Sequence, residues 1–199
     1  MSNNEKREKF VGANQPKSKA GTYFLVGILG VAILVAGVFF VLRKPDTAAW
    51  AVNVGAADYT GKTLQTTKIK AEIAGDKVSV NLDDIKNKQM VTFDVPGINF
   101  TLNNGTPFDY LPVLAYVSSK GNVVVASSLC EPCSGITFSI SGDTLVCNSC
   151  GTTWDLESLK GIAGGCTQYP PDSFKYKVEG GKLVLDQDQL RQWKPRPLQ

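Results

Sequence analysis

Residues 130–151 read CEPCSGITFSISGDTLVCNSCG, a stretch that contains two Cys-x-x-Cys pairs. The pairs are Cys130/Cys133 and Cys147/Cys150, and 13 residues separate them. The separating segment alternates apolar and polar residues on both sides of a Ser-Gly-Asp turn, which predicts a β-hairpin. Because a hairpin returns Cys133 to the side of Cys147, we expect all four thiols to meet at its open end.

Two Cys-x-x-Cys pairs at this spacing are typical of a four-thiolate metal site. Zinc in a closed four-cysteine site would be structural, whereas mononuclear iron or a 2Fe–2S cluster on the same ligands would carry one electron. Structural disulfides and catalytic thiol exchange are the alternatives, since exported proteins commonly oxidise paired thiols. Two disulfides would leave the fifth cysteine, Cys166, unpaired, so metal binding is favoured.

Other residues near these pairs in sequence have several possible roles. Cys166 could be an additional ligand, an exchange thiol or a buried core residue, and the Gly-Gly pair before it indicates a close backbone approach. Trp154 is expected to be a hydrophobic lid over the site. Three carboxylates would lower a reduction potential if they lay near the site in space, but they are expected instead to form a solvated acidic rim: Glu131, Asp143 and Asp155.

The composition excludes several classes of function. The chain contains no histidine, which excludes imidazole metal ligands, Ser-His-Asp and Cys-His catalysis, and a Rieske centre proper. Its 21 Lys and Arg and 18 Asp and Glu are interspersed, with no basic stripe, so we expect no nucleic-acid partner. The thiols are then the reactive groups, and an electron carrier or metal-binding protein is favoured over an enzyme.

Residues 23–42 form an uncharged run of 20 residues, and a helix rising about 1.5 Å per residue would cross a bilayer over that length. We predict a transmembrane signal anchor at 21–43 after a basic cytoplasmic tail at 1–20. The five basic residues before the run outnumber the two after it, which predicts a single-pass protein of the cell membrane with an extracytoplasmic C-terminal domain. Cleavage as a signal peptide is the alternative, since Ala-Trp-Ala at 49–51 resembles a cleavage site.

The chain beyond the predicted linker at 44–62 alternates apolar and polar residues almost throughout, which predicts a mainly β, hairpin-rich ectodomain with small α content. We expect a β-rich N-terminal part at 63–126 and a four-cysteine domain at 127–199. The predicted elements are hairpins at 68–82 and 174–186, strands at 90–95, 113–117 and 123–126, and one helical turn at 155–160 with Asp155 as N-cap and Gly161 as terminator.

The segment 113–193 resembles the FtrD-like family of membrane-anchored iron–sulfur proteins, and the similarity extends weakly upstream to about Lys68. The resemblance rests on features in a fixed order. These are the two Cys-x-x-Cys pairs around their hairpin, the Gly-Gly-Cys turn ending at Cys166, the Pro-Pro pair at 170–171 and the closing Val-Glu-Gly-Gly-Lys-Leu-Val-Leu-Asp strand pair. The layout is distantly similar to a Rieske core with Cys in place of both His, and the knuckles resemble those of rubredoxin and zinc ribbons.

The resemblance implies both a cofactor and a biological setting. It implies that Cys130, Cys133, Cys147 and Cys150 hold an iron–sulfur centre, with Cys166 as a fifth cysteine of the motif. It also implies a link to an iron-uptake system that contains a high-affinity permease, a periplasmic iron-binding protein and a cupredoxin-like oxidase. The expected partners are the membrane and an iron permease or a redox protein, and the oligomeric state is left open.

The sequence therefore predicts a membrane-anchored, extracytoplasmic iron–sulfur or iron protein that transfers one electron in connection with iron uptake. Two alternatives stay open. One is a structural zinc-binding interaction module. The other is a thiol-based metal chaperone of a membrane transporter, in which Cys166 helps to transfer the ion.

Overall fold

A computed structural model describes residues 52–198 of the chain. The described part is mainly β with small α content, as the sequence predicts, but its two short helices lie outside the helical turn predicted at 155–160. Its strands are β1 (Thr63–Gln65), β2 (Thr67–Lys68), β3 (Glu72–Ala74), β4 (Lys77–Asn81), β5 (Met90–Thr101), β6 (Pro107–Val117), β7 (Val123–Ser127), β8 (Phe138–Ser141), β9 (Thr144–Cys147), β10 (Thr153–Asp155), β11 (Gly161–Ala163), β12 (Tyr176–Glu179) and β13 (Lys182–Asp186), and its helices are α1 (Leu82–Lys88) and α2 (Gln187–Gln192).

The predicted transmembrane anchor at 21–43, the cytoplasmic tail at 1–20 and the candidate cleavage site lie outside the described residues. Between residues 52 and 198, neither helix has the length and apolar character needed to span a bilayer. The described end of the predicted linker packs on the folded part. The hydroxyl of Tyr59, which is 3% exposed, donates to the Val117 carbonyl at 2.8 Å.

The strands form three sheets. One sheet has the order β1-β8-β9-β10-β11 and carries the cysteine hairpin, a second has the order β12-β13-β4-β3, and a third has the order β2-β5-β6-β7. The third sheet supplies much of the core, because β6 and β7 bury nearly continuous runs and β5 buries alternate residues along most of its length. Strands from both predicted parts of the ectodomain pair directly, since β1 pairs with β8 and β4 pairs with β13.

The predicted hairpin between the cysteine pairs is present. Strands β8 and β9 pair antiparallel with Phe138 opposite Cys147, and Gly142 occupies the left-handed region of the turn at φ 54°. Phe138, Ile140 and Leu145 are fully buried, so their contacts fix the register of the two strands. This register places the start of β8 beside the end of β9, where the cysteines lie.

The two other predicted hairpins are present with changed limits. Pairing in the first begins at Glu72, because the preceding residues form β2, which runs parallel to β5 and lies in a different sheet. The second begins at Tyr176. Each hairpin is followed by a short helix, with the side chain of Asn81 capping α1 and that of Asp186 capping α2.

The helical turn predicted at 155–160 is a single tight turn, and Gly161 does not terminate it. Asp155 does cap the turn, since its Oδ1 accepts the Ser158 N–H at 2.7 Å. The chain reverses at Leu159, whose φ is 57°, and enters β11 at Gly161. The prediction was wrong about the end of the turn because antiparallel pairing of β10 with β11 requires a reversal before Gly161.

Candidate metal centre

Two backbone turns hold the four paired cysteines at the open end of the hairpin. The first turn is closed by the Cys130 N–H, which donates to the Gly135 carbonyl at 2.7 Å. The second begins at the end of β9, where the Gly151 N–H donates to the Cys147 carbonyl at 2.9 Å. Gly151 has a φ of 71°, a conformation that favours glycine directly after the second Cys-x-x-Cys pair.

The Sγ atoms of Cys130, Cys133, Cys147 and Cys150 all lie within 4.8 Å of one another. The closest contacts join one cysteine from each turn, at 3.9 Å between Cys130 and Cys150 and 3.7 Å between Cys133 and Cys147. Four sulfurs placed tetrahedrally at about 2.3 Å from one ion would lie about 3.8 Å apart. The four residues therefore fit a single tetrahedral thiolate-bound ion.

The surroundings of the four thiols lower the pKa of some and raise the pKa of others. A hydrogen bond from Cys130 and the backbone N–H groups of Ser149 and Cys150 lower the pKa of the Cys147 thiol to about 5. Hydrogen bonding to Cys147 together with burial raises the pKa of Cys130, and burial raises that of Cys133 to about 12. The surroundings of Cys147 thus favour its thiolate form, which is the form in which cysteine binds a metal ion.

The site is closed on one side and open on the other. Cys130 and Cys147 are fully buried, Cys133 is half-buried and Cys150 is exposed. Trp154 lies in the core beside the site, with its ring 6.1 Å from that of Phe138, and it is fully buried. A bound ion would therefore be shielded by the sheet and would approach solvent on the Cys150 side.

Cys166 lies next to the four-cysteine group. The Cys166 Sγ lies 3.8 Å from the Cys150 Sγ, and the Cys166 backbone N–H donates to Thr152 Oγ1 at 3.2 Å. Gly164 makes this approach possible, because a Cβ at that position would lie 2.6 Å from Thr152 Oγ1. The described geometry thus brings Cys166 to one ligand of the group, and its role as an additional ligand or exchange thiol stays a prediction.

We expect Cys166→Ser to retain a full complement of metal, because the four other sulfurs already complete a tetrahedral set. The measurement is the metal-to-protein ratio of the purified variant, with Cys150→Ser as the matched comparison that removes a ligand. Loss of metal from Cys166→Ser would instead identify Cys166 as a ligand.

The sequence did not reveal one buried ion pair in the first cysteine turn. Glu131 was expected to be solvated, but its side chain is 1% exposed and pairs with Arg196, whose Nη2 lies 2.5 Å from the Glu131 Oε2. The other two acidic residues of the expected rim do reach solvent, with Asp143 exposed and Asp155 partly so. The only sequence signal for the buried pair was an acidic residue placed between two ligands.

The part of the chain that contains the cysteines matches a known protein family. Residues 99–196 match the family described as membrane iron-sulfur containing protein FtrD-like. This segment is similar to the FtrD-like family. The match contains all five cysteines of the chain and ends at Arg196, and it begins well after Lys68, to which the resemblance was expected to extend weakly.

Two solved structures show a weaker likeness to the chain that contains the FtrD-like segment. One is a complex of reduced oxygenase and oxidized ferredoxin in carbazole 1,9a-dioxygenase, with 17% identity, coverage of 57% of this chain and 95% of that chain, and a TM-score of 0.38. The other is a ferredoxin of Sphingomonas yanoikuyae B1, with 19% identity, coverage of 46% and 87%, and a TM-score of 0.33. No curated protein matches the chain in sequence.

Proposed function

We propose that this protein holds a redox-active iron centre on Cys130, Cys133, Cys147 and Cys150 and transfers one electron at a time. The observation that carries the proposal is the convergence of the four Sγ atoms within 4.8 Å. The FtrD-like match supports iron, because the description of that family names an iron–sulfur protein. A complete thiolate shell has no open position for a substrate, so it suits electron transfer better than Lewis-acid catalysis.

The surroundings of the centre support electron exchange at the Cys150 side. The exposed residues of the second turn, 148–151, and of the segment 162–165 at the end of β11 carry no charged side chain. Ile162 in β11 is 55% exposed. A partner that docks on this face would approach the exposed ligand without displacing strongly hydrated charges, so the protein would exchange electrons without binding a small substrate.

The number of iron atoms is the first question that the proposal raises. The described sulfur spacing fits one ion, as in a rubredoxin-type centre. A 2Fe–2S cluster would need the two halves of the ligand set to move apart, because its bridging sulfides separate the two irons. We include both forms in the proposal, since each cycles by one electron on the same four ligands.

The cellular setting forms the second part of the proposal. We place the centre outside the cytoplasmic membrane, anchored by the predicted span at 21–43, where it would serve an iron-uptake system through an iron permease or a redox partner. This part rests on the FtrD-like resemblance and on the charge pattern around the apolar run.

A structural zinc site is the second candidate function, because contacts of 3.7 and 3.9 Å match a single four-thiolate zinc ion as well as a single iron. The protein would then be a zinc-stabilised module that binds a membrane transporter. A thiol-based metal chaperone is a variant of this function, supported by the 3.8 Å contact between Cys150 and Cys166.

The deciding experiment is anaerobic purification of the full-length chain with detergent and without added metal, followed by metal and sulfide analysis and a visible spectrum. We expect iron with charge-transfer bands that bleach on reduction. Iron without sulfide would identify the mononuclear form, and equal amounts of iron and sulfide would identify the cluster. Colourless protein with stoichiometric zinc would replace electron transfer by the structural function, and four oxidised cysteines without metal would overturn both.

A further inference from the structure

The first turn of the centre contains a buried carboxylate between two of its ligands. Glu131 lies between Cys130 and Cys133 and is 1% exposed. Its Oε1 accepts the backbone N–H of Arg196 at 2.8 Å, and its Oε2 accepts the Arg196 Nε–H at 2.7 Å. Both carboxylate oxygens are therefore bound by one residue that lies 65 positions away in sequence.

Arg196 also binds the loop that carries Cys166. Its Nη2 donates to the Pro170 carbonyl at 2.6 Å, and its guanidinium carbon lies 5.6 Å from the centre of the Tyr169 ring. The Tyr169 N–H in turn donates to the Cys166 carbonyl at 2.9 Å. One arginine thus connects the first cysteine turn to the loop beside the exposed ligand.

The segment from Trp193 to Arg196, which we name the C-terminal clasp, is itself fixed in place. The indole N–H of Trp193 donates to Asp172 Oδ2 at 2.9 Å, and its ring packs edge-on against Phe100 at 5.1 Å. Asp172 also lies 3.4 Å from Arg196 through its Oδ1. The clasp therefore holds the guanidinium against Glu131 through contacts at both of its ends.

We propose that Arg196 and Glu131 are positioning residues of the metal centre, which hold the first cysteine turn in its ligating shape and balance the charge beside the thiolates. The inference rests on the metal centre of the proposed function. It adds that this pair of residues influences the redox potential of the centre and how firmly the centre retains its metal. Four thiolates around a divalent ion carry net negative charge. An unpaired buried carboxylate beside them would be disfavoured, and the guanidinium removes that penalty.

The two halves of the pair should act in opposite directions on a redox potential. Arg196→Gln removes a positive charge that lies against a buried carboxylate, which favours the oxidised and more positive state of the centre and lowers the potential. Glu131→Gln removes the negative charge, keeps the shape of the side chain and raises the potential. The double variant restores neutrality, so its potential should lie close to that of the wild type.

Metal retention should separate the variants in a different order. Arg196→Gln leaves the buried Glu131 carboxylate unpaired and loosens the first turn, so we expect release to a chromogenic chelator to be about 10-fold faster or more, the usual size of an outer-sphere effect. Glu131→Gln removes one charged partner of Arg196, which keeps Asp172 at 3.4 Å and whose side chain is 34% exposed, so release should stay close to the wild-type rate. Arg196→Lys keeps the charge without the forked contact and should show near-normal potential with intermediate release.

The test uses the full-length protein with its bound metal, and Arg191→Gln is the matched control. Arg191 is 58% exposed on α2 and its nearest acidic partner, Asp188, is 3.9 Å away, so its loss should change neither readout. Opposite potential shifts that cancel in the double variant support the inference. The inference would be overturned if Arg196→Gln and Glu131→Gln shifted the potential equally or in the same direction while metal release stayed at the wild-type rate. If the metal is zinc, electron transfer fails but the release order still decides this inference, because chelator release does not require a redox-active ion.

Discussion

Cys147→Ser is expected to abolish stoichiometric metal binding and to lower the thermal stability of the protein more than any other single cysteine substitution. Cys147 is fully buried, ends β9 and is the thiol whose pKa is lowered to about 5. Its replacement removes a thiol whose pKa is lowered and leaves a serine hydroxyl in the core. In structural zinc sites metal binding supplies on the order of 10 kcal/mol of folding free energy.

The measurement combines metal analysis with thermal unfolding of the wild type and the variant. We expect less than one tenth of the wild-type metal and a Tm lower by more than about 5 °C, since each 1 kcal/mol shifts Tm by about 2–4 °C in a protein of this size. Cys166→Ser is the control, because it is a buried cysteine outside the four-sulfur group. A Cys147→Ser variant that keeps its metal would show that the convergence of sulfurs is not a metal site.

The cysteine hairpin could be predicted from sequence because every feature of it is local. The Ser-Gly-Asp turn, the alternation on both sides and the spacing of the pairs lie within 22 residues, and together they determine the register that places Phe138 opposite Cys147. The hairpins at β3–β4 and β12–β13 were predictable for the same reason. The short helices that follow these hairpins were not predicted, because helices of six or seven residues show little periodicity in the sequence.

The rest of the site depends on contacts between distant residues, which local patterns do not contain. An acidic residue in a turn is ordinarily solvated, and Glu131 is buried only because Arg196 returns to it from 65 positions away. The parallel pairing of β2 with β5 was also not predictable from local patterns, because the two residues of β2 resemble the start of the hairpin that follows them. Sequence reasoning thus predicted which cysteines converge, but not the distant residues that contact their turns.

Substitution of Gly135 is expected to have the second large effect on metal retention, because Gly135 lies where the two cysteine turns meet. A Cβ built on Gly135 would lie 2.9 Å from the Cys147 Sγ, 2.7 Å from the Ser149 Oγ and 2.8 Å from the Ser149 Cβ. The backbone of Gly135 is outside the left-handed region, so alanine is acceptable to the main chain itself. Gly135→Ala therefore tests the packing of the sulfur cage without adding backbone strain.

We expect Gly135→Ala to release its metal to a chelator about 10-fold to 100-fold faster than the wild type, because the Cys147 sulfur cannot move away from the new methyl group without leaving the ligand set. Gly165→Ala is the matched control, since a Cβ there has no heavy atom within 4 Å and its release rate should be unchanged. Adding Ser149→Gly to Gly135→Ala removes the serine contacts alone, and we expect incomplete recovery because the overlap with Cys147 remains. Full recovery in that double variant would assign the effect to Ser149 and would show that the position of the Cys147 sulfur does not limit metal retention.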